Sequence, residues 1–338
     1  MTDEISRITR RRGLMLAAAL TSTALLAAAA ALPAAAQDAY PSRPVTVVVP
    51  QAPAGTNDII ARVLADKLGD VLGQARFVVE NRPGAGGNIG TASAARATPD
   101  GYTLLVTISS TQAINPALYA KLGFDPVKDF EPISLLATVP NVLVAHPSLP
   151  ADTLPELIAL AKAQAADPIQ YASAGNGTLN HLLGEMLKSR AGIPLTHVPY
   201  RGVGPAINDM VAGHVKLGFA SMPSVMSHLQ GKVLKPLAMS SATRSPAAPD
   251  IPAIAETLPG FAADLWVALF APKGTPQAIR DRLHAATLKA MADPGVQEKL
   301  KAQGATIVTS TPDELARRLD ADITSWAEVV KAAGARIE

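Results

Sequence analysis

Six stretches of this chain join glycine, proline or small residues to hydroxyl and amide side chains, and each runs into a segment of helix-forming residues. They are Pro53-Ala54-Gly55-Thr56-Asn57-Asp58, Asn81-Arg82-Pro83-Gly84-Ala85-Gly86-Gly87-Asn88, Ser109-Ser110-Thr111, Ser173-Ala174-Gly175-Asn176-Gly177-Thr178, Tyr200-Arg201-Gly202-Val203-Gly204-Pro205 and Ser221-Met222-Pro223-Ser224. Glycine lets a ligand approach the backbone, and the first N–H groups of a helix lack an internal acceptor and carry the positive end of its dipole. Such a stretch can hold an anion, in particular a carboxylate, with no Lys or Arg in contact. Ser, Thr and Asn add donors without adding charge. Any α/β domain uses these residues at its turns and caps, so one loop alone is explained by structure. Their number is what points to binding.

Chemistry that makes or breaks bonds has no comparable footing. Gly84-Ala85-Gly86-Gly87-Asn88-Ile89-Gly90 resembles a dinucleotide loop, but Ile89 stands at the third glycine position. The chain has no Gly-x-Ser-x-Gly elbow and no phosphate loop ending in Gly-Lys-Ser or Gly-Lys-Thr. Its six histidines, at 146, 181, 197, 214, 228 and 284, lack metal-ligand spacing, and zero cysteines exclude disulfides and thiolate ligands. His181 stands out among them because it falls one turn into the helix expected after Gly177-Thr178. Carboxylate pairs such as Asp313-Glu314 are explained by helix starts, and Trp266 and Trp326 by packing. The expectation is a binding protein that is not an enzyme and uses neither cofactor nor metal.

The elements that must position these loops alternate between short β-rich runs and segments of helical period, the pattern of βαβ units. Val45–Val49, Phe77–Val79 and Thr103–Val106 read as strands. Ile59, Ile60, Val63, Leu64 and Leu68 recur at helical spacing between the first two, and Ala92–Ala97 is a second helix candidate. Ile133–Ala137 and Val142–Ala145 form one extended segment interrupted by Pro140, a candidate crossing between lobes. A second set follows, with strands at Gln170–Ala172, Leu195–Val198, Leu217–Phe219 and Leu234–Met239. Pro246, Pro249, Pro252 and Pro259 mark a loop leading to a return strand at Trp266–Ala271, and the chain is helical from Pro276. Thr153-Leu154-Pro155-Glu156 and Thr311-Pro312-Asp313-Glu314 announce helices through capping boxes. The expected fold class is α/β, with a discontinuous first lobe (38–139 and 263–338), an inserted second lobe (140–262) and a two-crossing hinge beside the cleft.

At the amino end, Arg7, Arg10, Arg11 and Arg12 precede an apolar stretch from Leu14 to Leu32 and the small residues Ala34-Ala35-Ala36, the order of a secretory leader cleaved before Gln37. The stretch is mostly alanine and is followed by a cleavage site, which favours a leader over a membrane anchor. Thr9-Arg10-Arg11-Arg12-Gly13-Leu14 loosely matches a twin-arginine signal, but Gly13 replaces a large apolar residue, so the export route stays open. Without residues 1–36 the chain has 26 basic and 26 acidic residues. That neutral balance gives no footprint for nucleic acid or an anionic membrane. About 300 remaining residues suit two domains. The localisation expected is the periplasm.

Across the loops and strands the sequence closely resembles the Bug-type solute-binding proteins of tripartite tricarboxylate transporters. The resemblance rests on Tyr40-Pro41-Ser42-Arg43-Pro44, Val79 through Gly90, Pro99-Asp100-Gly101-Tyr102-Thr103-Leu104, Ala113-Ile114-Asn115-Pro116, Tyr171 through Thr178 and His197-Val198-Pro199-Tyr200, in order and spacing across the mature chain. It implies a two-lobed fold of the periplasmic binding protein type II kind, with mixed, mainly parallel sheets flanked by helices, that closes on a small carboxylate. It further implies ligand contacts from Ala54, Gly55, Thr56, Asn57, Ser109 and Ser110 in the first lobe, and from Asn176, Gly177, Thr178, Gly202 and Ser221 in the second. The partners implied are membrane transporter subunits, for a monomeric mature chain not itself inserted in the membrane. Two positions depart from the family's pattern. Ala54-Gly55 stands where relatives carry paired glycines, and Ala220-Ser221 stands where many carry an acid that can meet an amino acid's ammonium group. The second departure predicts a mono- or dicarboxylate ligand without an ammonium group. Other readings are a sensor that presents its closed form to a two-component receptor, and a periplasmic hydrolase or isomerase, for which no nucleophile–base pair exists in the sequence.

Overall fold

Val45–Val49 (β1) is a run of valines broken only by Thr46 because a central strand of an α/β sheet is covered on both faces. It pairs in parallel with Phe77–Asn81 (β2) on one side and Thr103–Ile108 (β3) on the other. Thr56–Val71 (α1) connects β1 to β2 and buries Ile60, Leu64 and Leu68, four residues apart, against the sheet. Asn88–Ala95 (α2) connects β2 to β3. It begins four residues before the helix expected at 92–97 and ends two before it, because the turn through Gly84, Gly86 and Gly87, all at positive φ, delivers the chain to Asn88 already in helical conformation. These coordinates form a computed structural model that describes residues 40–53 and 55–337. The leader expected at 1–36 and Ala54 of the first loop lie outside the described residues.

After β3 the chain makes a π-helical turn at Ser110–Ile114 and a short helix, Asn115–Leu118 (α3), before Phe130–Val139 (β4). Pro140 separates β4 from Asn141–Ala145 (β5), which belongs to a different sheet. The proline removes a ladder donor and ends one strand where the next begins. Leu154–Ala163 (α4) follows, its N-cap Thr153 accepting from the Glu156 N–H as the capping box predicts. The next units are Ile169–Ser173 (β6), Leu179–Ala191 (α5), Leu195–Pro199 (β7), Val203–Val211 (α6), Leu217–Ser221 (β8), Met222–Gln230 (α7) and Lys235–Met239 (β9). The chain returns through Leu265–Pro272 (β10), and then forms Gln277–Met291 (α8), Pro294–Ala302 (α9), Thr306–Ile307 (β11) and Pro312–Ala332 (α10).

The two sheets share one plan. In the first the order is β11-β4-β10-β3-β1-β2, and in the second β7-β6-β8-β5-β9. Each has a parallel trio (β2, β1, β3 and β7, β6, β8) bordered by an antiparallel strand, β10 or β5. Both sheets are therefore mixed and the fold class is α/β as expected, but the described pairings are not mainly parallel, because the crossing strands β4, β10 and β5 run against their neighbours. The plan gathers the loops after β1, β2 and β3, and those after β6, β7 and β8, at the carboxyl ends of parallel strands, where open α/β sheets bind ligands.

Packing joins the final helix to this frame. Leu315, Leu319, Trp326 and Val330 bury one stripe of α10, whose start is fixed by reciprocal bonds between Thr311 and Glu314. The fully buried Trp266 of β10 donates its indole N–H to Asp322 of α10 at 2.7 Å. Phe130 meets Phe124 and Phe270 edge-on, each pair of centroids 6.1 Å apart. Trp266, Phe130 and Phe270, all at most 2% exposed, each contribute about 1.5–3 kcal/mol of transfer free energy.

Candidate functional site

The two groups of strand-end loops border a single cavity of about 430 Å³. Gly55, Thr56, Asn57 and Ser110 line it from the first sheet's loops, and Asn176, Gly177, Thr178 and Ser221 from the second's. Ser109 is 1% exposed and its hydroxyl accepts from the Trp266 N–H at 3.4 Å, which turns it from the cavity toward β10. Gly202 lies off the lining as the N-cap of α6, while the next residue, Val203, reaches it. Apolar wall comes from Ile108, Leu118 and Leu265, and side-chain amides from Gln51, Asn57, Asn115, Asn141, Asn176 and Asn180. Among the described residues, no lining side chain carries a charge.

Helix starts supply the polarity. At α1 the N-cap is Gly55, extended at φ −76 and without a side-chain cap, so the Thr56 and Asn57 N–H groups head the helix with no intrahelical acceptor. Asp58, buried in the first turn, is held by the Arg62 guanidinium (3.0 Å) and the Asn81 amide (2.9 Å), which neutralises it beside the dipole. Asn57 is clamped by donating to Gln51 and to the Val106 carbonyl (3.0 Å), so its backbone is presented by a fixed side chain.

The loop before α5 is built differently from what its composition suggests. The Gly177 N–H donates to His181 Nδ1 at 3.0 Å, the Thr178 N–H donates to the Gly175 carbonyl at 3.3 Å, and the Thr178 hydroxyl donates to that same carbonyl at 2.7 Å. Two amides that a carboxylate was expected to meet are thus engaged within the loop. The donors that open at this helix start are the N–H groups of Leu179 and Asn180, one turn ahead of the first intrahelical bond, Leu182 N–H to Thr178. Gly177 itself is required: at φ +73, a side-chain carbon there would lie 2.0 Å from Leu118 Cδ2 of α3.

Beneath the loop lies a histidine pair. His181 and His197 stack with centroids 4.0 Å apart, and Tyr171 stacks on His197 at 5.0 Å. Because the Gly177 amide donates to His181 Nδ1, that nitrogen is unprotonated and the ring is neutral with its proton on Nε2. His197 Nε2 meets Ser173 Oγ at 2.6 Å, and Ser173 Oγ in turn accepts from the Gly175 N–H at 3.1 Å. Burial pushes the His197 pKa down to about 4, reinforced by the neighbouring His181 ring and opposed by Glu185. Burial likewise lowers that of His181, again against Glu185. Glu185 also accepts from the Tyr171 hydroxyl at 2.8 Å.

Sequence reading missed the amides of Asn141 and Asn180. The Phe219 carbonyl can only accept, so the Asn180 atom 3.0 Å from it is Nδ2. That same Nδ2 lies 2.9 Å from the Asn141 side chain, whose facing atom is therefore Oδ1. Asn141 Nδ2 is thereby oriented away from Asn180; it is buried and has no acceptor among the described residues. An unmet buried donor costs about 1–3 kcal/mol. Pro140-Asn141 hinted at this position only as a break between strands. Among the described residues no cluster of His, Asp and Glu is arranged to hold a metal ion.

Comparison with known proteins agrees with this geometry. The sequence model of the tripartite tricarboxylate transporter family receptor matches residues 60–335. Protein BugT of Bordetella pertussis is 40% identical over 303 residues, 89% of this chain and 92% of BugT. The structure of the periplasmic binding protein BugD is similar at 37% identity and a TM-score of 0.77, covering 88% of this chain and 100% of BugD. Rpa4515 of R. palustris with adipate is similar at 33% identity and a TM-score of 0.80, over 88% of this chain and 100% of that one.

Proposed function

Since the chain belongs to the tripartite tricarboxylate transporter receptor family and is a solute-binding protein rather than an enzyme, we propose that it captures a small carboxylate and presents it to transporter subunits in the membrane. The single observation that carries this reading is a cavity bordered by the open N–H groups of two helix starts and by neutral amides and hydroxyls, with no charged side chain on its described lining. Such donors match an anion, and the adipate held by the similar Rpa4515 is one. The absence of an acid at Ala220-Ser221 favours a ligand without an ammonium group.

In this reading the chain is exported, cleaved before Gln37, and works in the periplasm as a monomer. Segments 38–139 and 263–338 form one lobe and 140–262 the other, and the lobes close about the crossings near Pro140 and Asp264. Among the described residues no helix is long and apolar enough to cross a membrane. Mass spectrometry of small molecules released from freshly purified protein, followed by a thermal-shift panel of acids, tests the proposal. A released carboxylic acid that raises the melting temperature supports it, the expected stabilisation being about 2.7 kcal/mol at a hundredfold excess over Kd. Strong stabilisation by aspartate or glutamate and none by simple acids would overturn the ligand class.

A further inference from the structure

We propose that the groove between α5 and α10 is the rear counterpart of the ligand cavity and narrows as the cavity opens. Side-chain bulk in that groove then favours the closed form and tightens ligand binding without touching the ligand. The inference rests on the two-lobed reading above, in which α5 belongs to one lobe and α10 to the other.

Two partitions separate the cavity from the space behind it. Leu118 of α3, which packs against Gly177, lines the cavity on one side. On its other side it borders a separate space of about 390 Å³ against Val330 and Lys331 of α10. The return crossing divides the molecule in the same way. Leu265 borders the cavity, while Ala263 and Asp264 border a small space against Arg318 and Trp326 of α10. Ser240 ties this crossing to the one at Asn141. The Ser240 hydroxyl accepts from the Asn141 N–H at 3.0 Å, its N–H donates to the Asn141 carbonyl at 2.8 Å, and its carbonyl accepts from the Ala263 N–H at 2.9 Å.

Beyond the partitions lies the groove, of about 350 Å³, with Met186, Ser189 and Arg190 of α5 on one wall and Glu328, Val329 and Ala332 of α10 on the other. Met186 and Val329 also border the space beside Asp264, so the groove adjoins the rear of the crossing. Its walls are not tied together. Among the described residues no hydrogen bond or ion pair joins α5 to α10, and Lys188 pairs with Glu185 of its own helix. Two bodies that turn about a packed line of contact narrow on one side as they widen on the other. A bulky side chain in the groove therefore penalises the conformations with the widest cavity, and apparent affinity rises with the closed fraction.

The sequence contains no cysteine, so nitroxide labels go only where cysteines are introduced. Ile89→Cys and Arg201→Cys place them at exposed positions beside loops that border the cavity from the two sheets, outside its lining. Pulsed electron paramagnetic resonance then reads the spacing across the cavity without ligand, and calorimetry reads adipate affinity. Ala332→Trp, which fills the groove, is expected to shorten the ligand-free spacing and to tighten adipate binding about threefold or more. Ala321→Trp, on an exposed position of the same helix away from the groove, is expected to match the parent in both. Ser189→Trp on the facing wall serves the same comparison should Ala332→Trp fail to fold. An unchanged or longer spacing, or a shorter one with adipate affinity unaltered, overturns the inference. The spacing comparison needs no ligand, so it decides the inference even where the parent binds no adipate, a result that counts against the carboxylate reading alone.

Discussion

Replacing His197 by Gln removes one titrating ring while keeping a side chain able to meet Ser173. In the folded protein burial holds the His197 pKa at about 4 against an ordinary 6.5. A shift of that size corresponds to about 3 kcal/mol at full weight. The ring is only partly buried, so solvent screening reduces the expected effect to about 1–2 kcal/mol. The sign follows from the direction. A depressed pKa means that the unfolded chain binds the proton more readily, so the stability contributed by the neutral ring is complete above pH 6.5 and is lost as the pH falls toward 4. The groups facing the pair are Tyr171 of β6 and Glu185 and Lys188 of α5, and Glu185 favours the protonated ring while Lys188 opposes it. Urea unfolding of wild type and His197→Gln at pH 8, 6.5, 5.5 and 4.5 measures the difference. Wild type is expected to lose about 1–2 kcal/mol more than the variant across that range, and ligand affinity to fall in parallel, because the Gly177 amide needs an unprotonated His181 Nδ1. Parallel stability profiles for the two proteins would refute the reasoning.

Gly177→Ala drives a methyl into Leu118 Cδ2 and forces an alanine to φ +73, so calorimetry should show affinity lowered at least about tenfold, and urea unfolding a stability loss of about 1–2 kcal/mol. Thr178→Val removes the cap on the His181 N–H and the bond to the Gly175 carbonyl; urea unfolding should register a loss of about 1 kcal/mol, and calorimetry a weaker complex through the altered loop. Asp264, just before β10, has its pKa raised to about 6 by burial, partly offset by Arg318 and the Ser240 hydroxyl. Its charged form is disfavoured in the fold, so Asp264→Asn should stabilise the protein by about 1–2 kcal/mol at pH 8, with the gain fading as the pH drops through 6 and absent below 4, as read from melting temperatures.

Strands and caps were legible because they depend on local chemistry: the valines of β1, the Thr153 N-cap and the Thr311 capping box each carry their signal within a few residues. The start of α2 was less so, since Asn88, Ile89 and Gly90 are poor helix formers and the helix is set by the glycine turn before it. The binding loops were visible as glycine with hydroxyls and amides, and eight of the ten expected contact positions among the described residues border the cavity. What composition could not convey is which donors remain open. The Gly177 amide is engaged by a ring one helical turn away, and His181 was conspicuous in the sequence only by its place in that turn. Asn141 and Leu265 reach the cavity because the chain changes sheets beside them, a property of strand pairing at long range.

Backbone and amide donors acting on a carboxylate, without a contacting cation, are the centre of this account. Calorimetry of whichever carboxylic acid binds best, set against its methyl ester and repeated at 50 and 500 mM salt, tests it most directly. The account predicts that esterification abolishes binding while the tenfold rise in salt changes the affinity of the acid less than about threefold. Equal binding of acid and ester, or a steep loss of affinity with salt, would contradict it.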